Sequence, residues 1–480
     1  MKTIKFLTMA ALALMTAACS KDDNELANEQ PTQARGIPFT ATISIDDGAT
    51  TRALEEKTTG LEATWEEGEK VALIYSVGSD PLKTEAEVTH VEGGVATISA
   101  RLVDGTADNT PVTIIYPSSA AMLGTEGFVH PDLLNGVPGP PQLGTFEDVK
   151  TRYDLRKGTG YLSVGGTATL KKNVTLENQF CIFKFTIKDI DGSNDLPTNM
   201  LEVYDENDKQ VARVISSTAL SEMYVALPTT PTTLKFYAMA YSGGGYHYNK
   251  ATGLTLGKNY YKSTLKLASP GDVILMNGKF AKATATGTKV AMIVGVKGFE
   301  TAGNYKSLAI ALSDANGGNP CAWSNENEAA GVSTSAAFDD HSGFYSGITD
   351  TQTLITKYGS DYAAAKASSY SVEGFNPTAN GFSNWFLPSS GQWLSALYYM
   401  GAKKLTAWDS FSSGGAADVT TLNTLLTAAG GALKANETYW TSSAFDDEYA
   451  VAVNFDSSNG IKMFASGKTF ENIVRPFIAF

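Results

Sequence analysis

Alternation of apolar and polar residues dominates the first half of this chain. Phe39, Ala41, Ile43 and Ile45 alternate with Thr40, Thr42 and Ser44, which predicts a half-buried strand stopped by Asp46-Asp47-Gly48. The runs Val71–Tyr75, Val112–Tyr116, Phe183–Ile187 and Leu234–Ala240 repeat the theme. Few 3.6-residue periods occur before Ser269, so residues 37–268 are expected to be all-β, as one sandwich or two stacked ones. The Gly/Pro-rich stretch Asn135–Gly144 predicts an exposed loop or a boundary between halves, with a sub-boundary at about 135–165.

At Ser269-Pro270-Gly271-Asp272 the pattern changes, and residues 269–480 read as α+β. Strand-like runs continue at Lys289–Val296 and Ser307–Leu312, but three helices are predicted. Asp350 is expected to cap a helix containing Leu354 and Ile355. Ser389 and Gln392 have capping-box spacing before Trp393, Leu394 and Leu397. Asp418 precedes Leu422, Leu425 and Leu426, with a stop at Gly430-Gly431. Strands return at Tyr449–Phe455, Ile461–Ala465 and Val474–Phe480.

The first residues bear on compartment. Met1–Lys5 is a short basic stretch, Phe6–Ala13 is apolar but too short to span a bilayer, and Leu14-Met15-Thr16-Ala17-Ala18 leads into Cys19. This resembles the lipobox of bacterial lipoproteins, which implies a signal peptide over 1–18 and acylation (palmitate among the chains) of Cys19. Each buried methylene contributes about 0.8 kcal/mol, so several chains on one residue anchor stably. Ser20-Lys21-Asp22-Asp23-Asn24-Glu25 resembles the acidic export signal of Bacteroidetes-type lipoproteins, implying the outer face of the cell outer membrane. Residues 19–36 are polar enough to be a disordered tether.

The 480 residues, 43% of them hydrophobic, allow two or three separate cores. A formal charge of −13 argues against nucleic acid and anionic lipid as partners. With Cys19 committed to the anchor, only Cys181 and Cys321 remain, which excludes a disulfide framework. The four His are scattered without metal-ligand spacing.

Two resemblances follow from longer stretches. Phe39–Ile43, Thr51-Arg52-Ala53, Trp65–Val71, Leu176–Phe185 and Leu256–Tyr261 occur in the order found in the fimbrillin family, the subunits of Bacteroidales surface pili. This implies two β-sandwich-like domains over 37–268. Asn384–Trp393, Tyr439–Ser443 and Val474–Phe477 resemble C-type-lectin-like domains related to the formylglycine-generating-enzyme fold, implying an α+β module over 269–480. In that module Trp385, Trp393 and Trp440 are expected in the core and Arg475 in a buried ion pair. Ligand contacts are expected from two loops, Phe445-Asp446-Asp447-Glu448-Tyr449 and Asp456-Ser457-Ser458-Asn459.

No enzyme is expected. The module holds only Cys321, no carboxylate has a suggestive spacing to a His, and Leu387–Gly391 lacks a Gly-x-Ser-x-Gly elbow. No cofactor is expected; a Ca²⁺ site, common among true C-type lectins, stays open although its usual motif is not visible. The fimbrillin resemblance implies assembly with other pilus subunits by donor-strand exchange after an Arg-specific cut, here at Arg52 in preference to Arg35. Because the C-terminal Val474–Phe480 belongs to the lectin-like core, a tip position is expected, with an extracellular glycan or protein as ligand. The alternative is a lipoprotein that stays on the outer membrane and binds without pilus assembly.

Overall fold

A computed structural model describes residues 36–480 except 46–54, 58–59, 63–64, 123–132, 135–136, 139, 206, 208, 229–233, 241–244, 250–259, 297–304 and 306. Cys19, Arg35 and Arg52 lie outside the described residues. The predicted first strand is β1 (Ile37–Ile45), with Phe39, Ala41 and Ile43 turned inward. After a short hairpin of β2 (Glu55–Lys57) and β3 (Gly60–Glu62) come β4 (Lys70–Val77), β5 (Asp80–Glu92), β6 (Val95–Leu102) and β7 (Pro111–Tyr116). A second hairpin, β8 (Leu133–Leu134) and β9 (Val137–Pro138), precedes helix α1 (Phe146–Tyr153); then come β10 (Arg156–Val164), β11 (Ala168–Leu170) and β12 (Val174–Asn178).

These strands do not form a two-layer sandwich. Outside the two short hairpins, the other eight make one sheet, β11-β1-β12-β10-β7-β4-β5-β6, in which β1 also pairs with β6, so the sheet closes on itself. Closure wraps the inward residues around one core that includes Phe39, Ile43, Trp65, Leu73, Ile98, Ile114 and Leu176. Gly158 and Gly160 make the final approach feasible. A Cβ on Gly158 would lie 2.5 Å from Val174 Cγ1 and 2.7 Å from the Thr175 carbonyl oxygen, so β12 packs where a side chain would otherwise stand.

Helix α1 also departs from the all-β expectation. Thr145 accepts a hydrogen bond from Asp148 N at 3.2 Å, and the first turn carries Glu147 and Asp148, which suits a helix N-terminus. Nor is the Pro-rich stretch before it wholly exposed. Gln142 is fully buried, with its amide donating to the Ala226 carbonyl and accepting from Ala226 N, both at 2.8 Å.

The chain leaves the first sheet at Asn178 and enters β13 (Phe180–Asp189) almost at once. With β14 (Thr198–Tyr204), β15 (Gln210–Leu220), β16 (Glu222–Pro228), β17 (Lys235–Ala240), β18 (Gly245–Asn249) and β19 (Tyr260–Leu267) it forms two sheets, β16-β13-β19 and β15-β14-β17-β18. Phe183, Phe185, Ile187, Leu201, Val203 and Val225 share a core cluster contributed by both sheets.

The remainder is α+β. Strands β20 (Val273–Leu275), β21 (Phe280–Ala281), β22 (Lys289–Val296), β23 (Ser307–Ala311) and β29 (Phe477–Ala479) form one sheet; β24 (Cys321–Ala322) pairs with β28 (Glu471–Asn472). A third sheet holds β25 (Glu437–Ala444), β26 (Tyr449–Asp456) and β27 (Gly460–Gly467). The helices are α2 (Gly347–Tyr358), α3 (Ala363–Ser368), α4 (Ser390–Tyr399) and α5 (Ala416–Ala429). At the start of α4, Gln392 Oε1 accepts from Ser389 N at 2.9 Å, the back-reaching half of the predicted box. Helix α5 stops at left-handed Gly430. Asp350 does not cap α2. It lies inside the first turn, buried, and accepts from the hydroxyl of Ser346, the residue at the cap position.

This α+β part is joined to the preceding sandwich by packing and charge. Ile190 and Tyr204 pack against the cluster holding Ala268, Ile274 and Ile478. Lys282 Nζ lies 3.6 Å from Asp189 and 3.5 Å from Asp272.

Candidate functional site

Strand β1 occupies an unusual place. On one side it pairs antiparallel with β6, from Ile37↔Leu102 to Ile43↔Ala96. On the other it runs parallel to two successive strands, meeting β11 at Phe39↔Ala168 and β12 from Ile43↔Val174 to Ile45↔Leu176. Phe39 (1% exposed) and Ile43 (0%) fill the core from this strand. On its other face Thr42 donates to Asn173 Oδ1 at 2.6 Å, and the Ser44 and Thr175 hydroxyls lie 3.0 Å apart. The strand is therefore a stave between two sheet margins. Its withdrawal would leave a slot lined by apolar side chains and bordered by unpaired backbone groups of β6 on one side and of β11 and β12 on the other.

The two loops expected to bind ligand are both hairpin turns, one at each end of β26. An eight-residue strand separates them by roughly 25 Å at about 3.3 Å per residue, so they do not form one surface. In the first, Phe445 is half-buried, its ring 5.4 Å from that of Trp408. Asp446 Oδ1 accepts from Glu448 N and Tyr449 N, both at 2.8 Å, closing the turn on itself. Asp447, Glu448 and Tyr449 remain exposed. Lys468 holds this turn from below, fully buried, donating to the carbonyls of Asp447 at 2.6 Å and Glu328 at 2.8 Å. Burial pulls the ammonium below its usual pKa. In the second turn Asp456 accepts from Ser458 N and Asn459 N, and Ser457 N donates to Asn436 Oδ1 at 3.0 Å. Those backbone bonds lower the Asp456 carboxyl pKa.

The three family-motif tryptophans are buried, at 3%, 0% and 0% exposure for Trp385, Trp393 and Trp440. Arg475 is 1% exposed, pairs with Asp314 at 2.7 Å and donates to the carbonyls of Ala311 at 2.8 Å and Ala432 at 2.5 Å. Cys181 and Cys321 are both free thiols and buried; desolvation pushes Cys321 up to about 11. Among the described residues no three His, Cys, Asp or Glu side chains stand where they could share a metal ion, and no helix is long and apolar enough to cross a membrane.

A polar cluster escaped the sequence reading. His341 Nε2 lies 2.6 Å from the Ser335 carbonyl, which can only accept, so in the neutral ring Nδ1 is the unprotonated nitrogen, 2.7 Å from Ser390 Oγ. Burial lowers the His341 pKa and favours this neutral form. Ser390 Oγ and Ser443 Oγ are 3.1 Å apart. Asp350 accepts from Ser346 at 2.9 Å and Ser442 at 3.1 Å, and desolvation pushes its carboxyl up to about 6. Ser390 and Ser443 are both fully buried, so this hydroxyl–imidazole arrangement has no face open to a substrate. It fastens the start of α4 to β25 and the segment before α2. Sequence separation hid it, because His341 and Ser390 are 49 positions apart.

The reading also missed a cleft of about 360 Å³ between the turn Phe338–Gly343, helix α4 and the segment after it. Phe338, Tyr345, Tyr398 and Tyr399 line it, together with Lys403 and Lys404.

No protein-family model and no curated protein matches the chain. Among solved structures, a fimbrial protein from Bacteroides ovatus aligns over 93% of this chain and 99% of its own, at 15% identity and a TM-score of 0.31. The shaft pilin spaA from Lactobacillus rhamnosus GG aligns over 49% of this chain and 97% of its own, at 10% identity and a TM-score of 0.21. Superpositions this loose transfer neither fold nor role to this chain.

Proposed function

We propose that this protein is a cell-surface adhesin of the fimbrillin type, built to join a pilus by accepting a donor strand and to bind an extracellular ligand through its C-terminal module. The observation that carries this reading is the position of β1, a single removable stave whose loss would open one continuous slot. An incoming strand with apolar residues at alternate positions would satisfy both margins and refill the core vacated by Phe39, Ala41 and Ile43. Cutting at Arg52 would release that strand together with a lipid anchor on Cys19 at the outer membrane. The C-terminal strand is unavailable as a donor: β29 pairs with β23, and Phe480 N donates to the Ser307 carbonyl. A subunit whose C-terminal strand is committed to its own core in this way suits a pilus tip. Burial of Ser390 and of the Cys321 thiol supports a binding rather than a catalytic role.

A second reading, an outer-membrane lipoprotein that keeps β1 and binds without polymerising, is favoured by the Thr42–Asn173 and Ser44–Thr175 contacts that knit the strand in place. The N-terminal sequence and intact mass of protein from sheared surface fibres and from membranes separate the two. Chains beginning at Ala53 in fibres are expected. Chains confined to membranes and beginning at acylated Cys19 overturn the pilus reading.

A further inference from the structure

We infer that the cleft beside helix α4 is a binding site for a carboxylate-bearing sugar, a hexuronate or a sialate unit. This deepens the adhesin reading by naming a ligand class, and it rests on the C-terminal module being the binding part. The cavity, about 360 Å³, is within the size of small-ligand sites.

Its lining combines three chemistries. The first is aromatic. Tyr398 is 57% exposed and stands with its ring 5.4 Å from that of Tyr399. Phe338 is fixed in orientation by Trp408, edge to face at 5.1 Å, and Trp408 is itself held by its indole N–H on the Ala336 carbonyl at 2.8 Å. The C–H face of a pyranose ring is apolar and stacks on such rings.

The second chemistry is charge. Lys403 and Lys404 both line the cleft and are exposed, and neither has an ion-pair or hydrogen-bond partner among the described residues. Asp339 is the one carboxylate in the lining, so the balance is positive on a chain whose net charge is −13. A lysine pair left unneutralised in an acidic protein favours an anionic ligand.

The third is hydroxyl chemistry. Ser395, Thr406 and the phenol of Tyr398 offer both donors and acceptors around the cavity, beside Ser342, whose hydroxyl donates to the Asp339 carbonyl at 2.7 Å. A lipid tail or a purely aliphatic acid would leave these groups unmatched, whereas a sugar's ring hydroxyls pair with them. Leu397 and Leu405, both buried, close the floor. The walls come from helix α4 and from the Phe338–Gly343 turn, whose His341 is locked to Ser390 at the head of the same helix, so the site is preformed.

The test uses the full chain and calorimetric titration with oligogalacturonate, sialyllactose and neutral lactose. Binding of at least one acidic sugar, with lactose much weaker, is expected; which one binds separates a uronic-acid polysaccharide from a sialylated glycan. Replacing both lysines (Lys403→Ala with Lys404→Ala) should weaken binding about tenfold or more, since charge-assisted bonds are the strong ones. Both lysines are exposed, so the fold should be retained, and the arginine pair (Lys403→Arg, Lys404→Arg) should keep binding. Tyr398→Ala should weaken it as well. Binding of neither acidic sugar, equal binding of lactose, or equal binding by the double-alanine variant would each overturn the assignment. Failure here leaves the strand-acceptor reading untouched, because that reading is decided by the chain's N-terminus in fibres and not by titration.

Discussion

Excising β1 and offering it back as a peptide tests the closure of the first sheet most directly. The strand places Phe39 and Ile43 in a core from which solvent is almost absent, with Ala41 between them. Fully burying side chains of this size stabilises by about 1.5–3 kcal/mol each, so the two together contribute roughly 3–6 kcal/mol. The hydrogen-bonded margins on both sides add to this at about 0.5–1.5 kcal/mol per bond net. A chain cut at Arg52 with its N-terminal piece removed is therefore expected to melt well below the intact chain. It should regain stability when supplied with a synthetic peptide of sequence Ile37–Ile45. Truncating Phe39 to alanine in that peptide forfeits about 3–5 kcal/mol by the usual large-to-small cost. At 1.4 kcal/mol per decade this weakens peptide binding by at least about a hundredfold. The assay is calorimetric titration of cut chain with parent and Phe39→Ala peptides, alongside thermal melts. Equal binding of the two peptides, or a cut chain as stable as the intact one, would refute the argument that β1 is an energetically distinct stave.

Other consequences are open to simpler experiments. Asp314→Ala strands the Arg475 guanidinium at 1% exposure without its carboxylate; a loss of about 3–5 kcal/mol in urea unfolding is expected, larger than for a surface pair. The Asp350 carboxyl, raised to about 6 in the folded chain, binds its proton more tightly folded than unfolded. Stability should therefore fall as pH rises from its ordinary value through about 6, and Asp350→Asn should flatten that part of the profile measured by denaturant midpoints. Gly158→Ala drives a methyl into Val174, Leu176 and the Thr175 carbonyl; about 1–3 kcal/mol of overpacking and a lower melting temperature are expected, and an unchanged melt would show that β12 moves aside freely.

Much of the local structure was legible because its cause is local. The period-2 alternation of Phe39, Ala41 and Ile43 against Thr40 and Thr42 reports a strand with one wet face, and β1 has that pattern. Ser389 and Gln392 announce the start of α4, and Gly430 the end of α5, since backbone groups at helix ends need partners close in sequence. Closure of the first sheet was not legible. It depends on β1 meeting β12 across 131 positions, at Ser44 and Thr175, and alternation says nothing about which strand lies alongside. Helix α1 was overlooked beside a Pro/Gly-rich stretch, although Thr145 three residues before Asp148 was a usable cap signal. Asp350 was misplaced because an acidic residue suits both the cap and the first turn, and only the fold reveals Ser346 and Ser442 beside it. The separation of the two candidate loops could have been worked out, because eight strand residues between two tight turns put them at opposite ends. The aromatic and lysine cleft could not, as Phe338 and Lys403 approach only after α4 has packed.

The arrangement of β13 and β19 bears on how the molecule answers a pulling force. β13 begins two residues after the first sheet ends, and β19 leads within a few residues into the C-terminal module. The two run parallel, paired continuously from Ile182↔Tyr260 to Asp189↔Leu267. Tension between the two ends of the protein would enter β13 at its start and leave β19 at its end, which are opposite ends of that ladder. The load is then spread over all its rungs at once, as in a lap joint, and not peeled from one rung to the next. A ladder sheared this way yields only when many bonds fail together, so the middle of the chain is suited to bear tension applied between its two ends.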